Sequence, residues 1–134
     1  MLSPDPDAVL VELRRRALAL PKAAERLSHG SPGFFIEGGK FFAYFSHDHH
    51  GDAMTYVAVK TSGRDEQEML MEAAPEVYSW PAYIGPSGWI AIDLAGDVDW
   101  ALVAERLKIS WRLVAPKKLL AVAPPRGGAV GEAD

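Results

Sequence analysis

Apolar positions recur every three to four residues near the start of the chain, and this spacing predicts a helix. Val9, Leu10, Leu13, Ala17 and Leu20 fall on one face of it. Asp5-Pro6-Asp7 supplies the helix start, with Asp5 as cap, Pro6 in the first helical position and Asp7 beside the positive end of the dipole. Arg14, Arg15 and Arg16 load the C-terminal half with the charge that complements the dipole, and Pro21 ends the helix. From Lys22 onward the period changes to two. Ala24 to Ser28 reads as a short edge strand, broken by Gly30-Ser31-Pro32-Gly33. Phe34 to Glu37 is the next strand, and Gly38-Gly39 marks a hairpin. Lys40 to Ser46 then alternates, with Phe41, Ala43 and Phe45 facing one way and Phe42 and Tyr44 the other. Met54 to Thr61 repeats the pattern, with Met54, Tyr56 and Ala58 opposite Thr55, Val57 and Val59.

Beyond this meander the helical period returns. Ser62 to Asp65 matches a relaxed capping box, Met69, Leu70 and Ala73 form the expected apolar stripe, and Pro75 ends the helix. Tyr78 to Ile84 reads as an aromatic loop entering a strand, Gly85 to Gly88 as a turn, and Trp89 to Leu94 as a strand. Asp97 is the expected cap of a third helix, on which Trp100, Val103, Ala104 and Leu107 share a face. Ser110 to Ala115 reads as a further helical segment, ended by Pro116. The order is α-β-β-β-α-β-β-α(α). It predicts an α+β fold of two layers, an antiparallel sheet of about five strands with helices packed on one face. Both faces of the meander are apolar, which leaves the face away from the helices for a partner or a tail. Residues 1–122 are expected to form a single domain, and residues 123–134, rich in Pro, Gly and Ala, a disordered tail.

Composition agrees with one ordinary domain: 134 residues, 49% apolar and 24% charged. The absence of cysteine excludes disulfides, thiolate metal sites and a cysteine nucleophile. The acidic start Met1 to Asp7 lacks the pattern of a secretion signal, and no apolar run approaches the roughly 20 residues that span a bilayer. A cytoplasmic location without a membrane partner is therefore expected. A net charge of −4 argues against indiscriminate binding to phosphates. Yet Arg106, Lys108, Arg112, Lys117, Lys118 and Arg126 follow one another with no acid among them. Complementing helix dipoles explains this run more simply than a binding patch does.

Several segments in fixed order carry a family resemblance. They are His29-Gly-Ser-Pro-Gly-Phe34, Gly39-Lys-Phe-Phe-Ala43, Val59-Lys60 with Arg64-Asp-Glu66, Tyr83-Ile-Gly-Pro-Ser-Gly-Trp89, Val98-Asp-Trp100 and Ser110-Trp-Arg-Leu-Val-Ala-Pro-Lys-Lys-Leu119. Together, from about Leu10 to Leu120, the chain resembles the YjbR/MmcQ family. The resemblance implies a two-layer fold with an antiparallel sheet, as the periodicity does independently. It also implies DNA binding, a description the family bears because its fold looks like a double-wing arrangement. It brings no catalytic residues. The chain departs from the family at Phe35, where members often carry a basic residue.

Candidate chemistry is sparse. His47-Asp48-His49-His50-Gly51-Asp52 offers imidazoles and carboxylates, with His50 and Asp52 the pair best spaced to face a cation. These are equally the polar residues of a hairpin tip, and no second ligand cluster accompanies them. His29-Gly30-Ser31 has no nucleophile elbow around it, and the turns at Gly38-Gly39-Lys40 and Gly85 to Gly88 lack phosphate-loop spacing. No catalytic residue, metal site or cofactor is expected.

The leading expectation is a non-enzymatic binding module whose partner is double-stranded DNA, with Lys40, Lys60, Arg64, Arg112, Lys117 and Lys118 as the phosphate-contacting candidates. The alternative is a protein-interaction or adaptor domain that binds another protein or itself through the two-sided aromatic meander. A third reading is a small-ligand binder or enzyme with Trp80, Tyr83 and Trp89 lining a groove, Trp80-Pro81 being its most exposed pair.

Overall fold

The computed structural model describes residues 5–48, 51 and 53–121. The tail expected at 123–134 and the residues His49, His50 and Asp52 of the histidine loop lie outside the described residues. The first helix, α1 (Pro6–Ala17), starts as the sequence dictates, with Asp5 accepting from the Asp7 amide at 3.1 Å. Its three arginines are held by acids. Arg14 makes two bonds of 2.8 Å to Glu25, while Arg15 and Arg16 both reach Glu12.

Four strands follow where three regular strands were expected: β1 (Ala23–Ser28), β2 (Ser31–Ile36), β3 (Phe41–His47) and β4 (Thr55–Lys60). The short edge strand expected at Ala24 to Ser28 is β1, at the edge of the sheet, and Ser31 to Gly33 belong to β2 instead of separating the two strands. The turn is His29-Gly30, with φ of 52° and 83°, the doubly left-handed pair that closes a two-residue hairpin. After β4 come α2 (Arg64–Ala73), the two-residue β5 (Tyr78–Ser79), β6 (Trp89–Asp93), α3 (Trp100–Val114) and the single turn α4 (Lys117–Leu120). The strands form one six-stranded sheet in the order β1-β2-β3-β4-β6-β5, every neighbouring pair antiparallel.

One face of the sheet carries the core. Phe34, Ile36, Val57, Val59, Ile90 and Ile92 pack with Leu13 of α1 and with Val103, Leu107 and Trp111 of α3. The alternation expected of β4 holds. That of β3 does not, because its register with β2 shifts between Phe34 and Phe35. The bulge turns Phe42 into the core and leaves Phe41 on the opposite face, stacked on Tyr44. Ser110 of α3 bridges the ladder beside this irregularity. Its hydroxyl donates to the Phe42 carbonyl at 2.6 Å and accepts from the Lys60 amide at 2.9 Å.

The helices depart from expectation in four ways. Asp99, not Asp97, caps α3, accepting from the amides of Ala101 and Leu102. Trp100 to Val114 is one continuous helix, since nothing before Pro116 interrupts its hydrogen bonds. On α2 the expected stripe is displaced: Met69 is 58% exposed, and the fully buried side chain is Gln67. The capping box is displaced too. Gly63 is the cap position, and Glu66 accepts from both the amide and the hydroxyl of Ser62.

Candidate functional site

The short helical turn Gly85–Ser87, just before β6, is held from three directions. Gln67 of α2 donates to the carbonyls of Gly85 and Trp89 at 2.7 and 2.8 Å. Thr61, one residue past β4, donates its hydroxyl to the Gly88 carbonyl at 2.8 Å, and its amide does the same. The Lys60 ammonium donates to the Ser87 carbonyl at 3.2 Å. A carbonyl buried without a partner costs about 1–3 kcal/mol, so Gln67 and Thr61 account for this turn's fixed shape.

Two cation–aromatic pairs meet around the turn. The Trp80 ring lies against Gly85 so closely that any side chain there would overlap it. The Arg64 guanidinium sits 5.5 Å from the Trp80 ring centre, and the Lys60 ammonium 5.8 Å from that of Trp89. Trp80 is 42% exposed, whereas Trp89 is buried and serves as the seat on which Lys60 rests. Gly63, Arg64, Gln67, Trp80, Pro86, Ser87 and Gly88 enclose a hollow of about 420 Å³. Arg64 also meets Glu68 at 2.8 Å, but both side chains are more than half exposed. A pair so open to water is worth little and exchanges readily for another anion.

Trp89 is one end of an aromatic row that crosses the sheet on the face without helices. Its ring centre lies 5.1 Å from that of Tyr44, Tyr44 lies 5.1 Å from Phe41, and Phe41 lies 5.3 Å from Phe35. Arg26 of β1 covers the far end, 4.7 Å from Phe35 and 5.0 Å from Phe41. A cation is thus supplied from the neighbouring strand beside Phe35. Burial raises the Tyr44 hydroxyl above its ordinary value, against the opposing pull of Arg26, so Tyr44 stays a neutral hydrogen-bond donor.

Of the candidates named from sequence, the structure brings Lys60, Arg64, Trp80 and Trp89 together around one turn. The others lie elsewhere. Lys40 is exposed in the link between β2 and β3. Lys117 and Lys118 are exposed on α4. Arg112 lines a separate hollow with Lys108 and the acids Glu66 and Glu105. The basic run is therefore divided: Arg106 is buried against Glu66, and Lys108 pairs with Glu105. Trp80, Tyr83 and Trp89 do not line one groove. Pro81 is buried, in contrast to its exposed neighbour Trp80, and Tyr83 borders a different groove, with Ser46, Tyr56 and Ala58. In the histidine loop, the described side chains serve the hairpin. His47 shares a 2.7 Å bond with the Thr55 hydroxyl, and Asp48 accepts from the Ala53 amide. Among the described residues no helix is long and apolar enough to cross a membrane.

Gln67, Thr61 and Arg26 were not singled out from sequence. Gln67 and Thr61 act through side-chain bonds to distant carbonyls, which periodicity does not register. Arg26 was hidden in a strand whose register with β2 had to be known first.

A sequence model of the YjbR family matches residues 18–113. A crystal structure of the Deinococcus radiodurans protein DR2400, described as a DUF419 domain, superposes with a TM-score of 0.69 at 20% identity, covering 93% of this chain and 94% of that one. At that identity the likeness concerns the fold. No curated protein matches the sequence.

Proposed function

From the premise that the chain belongs to the YjbR family, we propose that it is a non-enzymatic binding module for nucleic acid, working in the cytoplasm and engaging a single strand around the Gly85–Gly88 turn. The carrying observation is the convergence of Lys60, Arg64 and the exposed Trp80 on one rigid turn. The chemistry suits an unpaired base. A half-exposed indole offers a stacking face that bases inside a duplex cannot use, and base–aromatic stacking contributes about 1–3 kcal/mol. Lys60 and Arg64 stand beside it to meet the flanking phosphates, and Arg26 extends the basic character to the far end of the aromatic row. The separation of Arg112, Lys117 and Lys118 from this turn, with Glu66 and Glu105 beside Arg112, favours a short single strand over a duplex.

Two phosphate contacts on a single strand imply a shallow salt dependence, a slope of about −1.4 in log K against log salt. Fluorescence anisotropy of a labelled single-stranded oligonucleotide and of its duplex, over a salt series, tests the reading. The expected outcome is binding of the single strand with that shallow slope and weaker binding of the duplex. No binding at low salt overturns the reading. A steep slope with preference for the duplex transfers the interface to Arg112, Lys117 and Lys118 and overturns it as well. Binding of neither nucleic acid by a chain that self-associates favours the protein-interaction alternative.

A further inference from the structure

The helix-free face of the sheet carries a second concavity, which the oligonucleotide reading does not use. Ser46 and Tyr56 stand opposite one another in the β3–β4 register, on the face away from the core. Ser46 is only 7% exposed, and its hydroxyl has no hydrogen-bond partner. Serine hydroxyls are small and rotate freely, so an interior one normally finds an acceptor in its own protein. One left unbonded beside a cavity is a group waiting for a partner from outside.

The cavity is there. A groove of about 690 Å³ runs over Ser46, Tyr56 and Ala58, between the β1–β2 hairpin at His29 and the loop at Tyr83. That is the size of a small-molecule site, well above what one water needs. Its lining sets the class of ligand. Among the described residues no lysine, arginine, aspartate or glutamate borders it. His29 borders it and Arg26 acts on Tyr44 from beyond the lining, so a charged ligand gives up its hydration there for little counter-charge. Tyr44, Tyr56 and Tyr83 border it with rings that end in hydroxyls; the Tyr44 ring already packs on Phe41 and Trp89, so stacking on a flat ligand falls to Tyr56 and Tyr83.

We infer that this groove binds an uncharged, planar heteroaromatic molecule of about the size of a nucleobase, with the Ser46 hydroxyl hydrogen-bonded to its edge. The inference is independent of the single-strand reading, because it requires no phosphate and none of Lys60, Arg64 or Trp80. The probe is free adenine, titrated into the full chain and followed through its amide resonances, with adenosine monophosphate and benzoate as charged comparators. Adenine is expected to shift the signals of Ser46, Tyr56 and Tyr83 and to bind more tightly than either comparator. Ser46→Ala is expected to weaken adenine binding roughly three- to tenfold, the worth of one hydrogen bond. The same change leaves the thermal midpoint of the free protein unchanged or raised, since it deletes an unsatisfied group. Tyr83→Ala, at an exposed position, weakens binding without touching the strands. Undisturbed Ser46, Tyr56 and Tyr83 signals overturn the inference, as does equal affinity of Ser46→Ala for adenine. Tighter, salt-sensitive binding of adenosine monophosphate overturns it too, because the phosphate is then the recognised group. A negative adenine result with a positive oligonucleotide result leaves the single-strand reading standing, and the reverse pattern leaves the groove standing.

Discussion

Gln67 does for the Gly85–Gly88 turn what a helix cap does for a helix end: it donates to the Trp89 carbonyl and adds a second bond to the Gly85 carbonyl, which already accepts from the Gly88 amide. One amide group serves both Gly85 and Trp89 from inside the protein, at 2.7 and 2.8 Å. Gln67→Met keeps the volume and removes the donor, taking its bond from the Trp89 carbonyl and leaving the Gly85 carbonyl with the Gly88 amide alone. This change is expected to destabilise the fold by about 2 kcal/mol or more, measured by denaturant midpoint at constant slope. It is also expected to weaken oligonucleotide binding at temperatures where the variant stays folded, because the turn seats both Trp80 and Lys60. An unaltered midpoint shows that the turn does not depend on Gln67. At this scale the sequence was legible for types and opaque for meeting places. Lys60, Arg64, Trp80 and Trp89 were recognisable as cations and aromatics with something to bind. Their convergence depends on a hydrogen bond from a glutamine on a helix whose stripe was sought among apolar residues only.

Between elements, an ion pair joins α2 to α3. Glu66 meets Arg106 at 3.2 Å, and the Arg106 side chain is only 10% exposed. Burial works against ionisation of Glu66. The two hydrogen bonds from Ser62 and the charge of Arg106 outweigh it, so the carboxyl lies below its ordinary value of 4.5. A carboxyl lowered by folding contributes stability above its ordinary value and loses it as the pH falls through the lowered one. Acid titration of stability is therefore expected to show a decline that begins near pH 4.5 and continues below it. Glu66→Gln is expected to remove that decline and, by leaving Arg106 without its counter-charge, to cost about 3 kcal/mol at neutral pH. An identical acid profile in wild type and variant rules out this pair as its source. The elements themselves were largely legible: α1 with its cap, the hairpin at Gly38-Gly39 and the alternation of β4 all follow from local pattern. The bulge in β3 was not, because a register shift between two strands leaves each strand's own pattern intact. The position of β5 was not: a strand was expected out of Tyr78 to Ile84, and only Tyr78-Ser79, at its start, forms one, by pairing with β6.

As a whole, the molecule is a sheet with helices on one face and an unclad aromatic row on the other. The sequence foretold this asymmetry in outline, since both sides of the meander were apolar and the helices could cover only one. It did not foretell that cations would bracket this half-buried row, with Arg26 at one end and Lys60 at the other. Nor could the run from Arg106 to Lys118 be divided in advance, because burial and the acids of other elements decide which cations remain available. The claim on which the functional reading stands is that the Gly85–Gly88 turn, and not the helical side, meets the nucleic acid. Mapping amide shift changes on addition of a single-stranded oligonucleotide tests it most directly. Changes are expected to concentrate at Lys60 to Arg64, Trp80 and Gly85 to Trp89. A footprint centred on Arg112, Lys117 and Lys118, or no footprint at all, would contradict it.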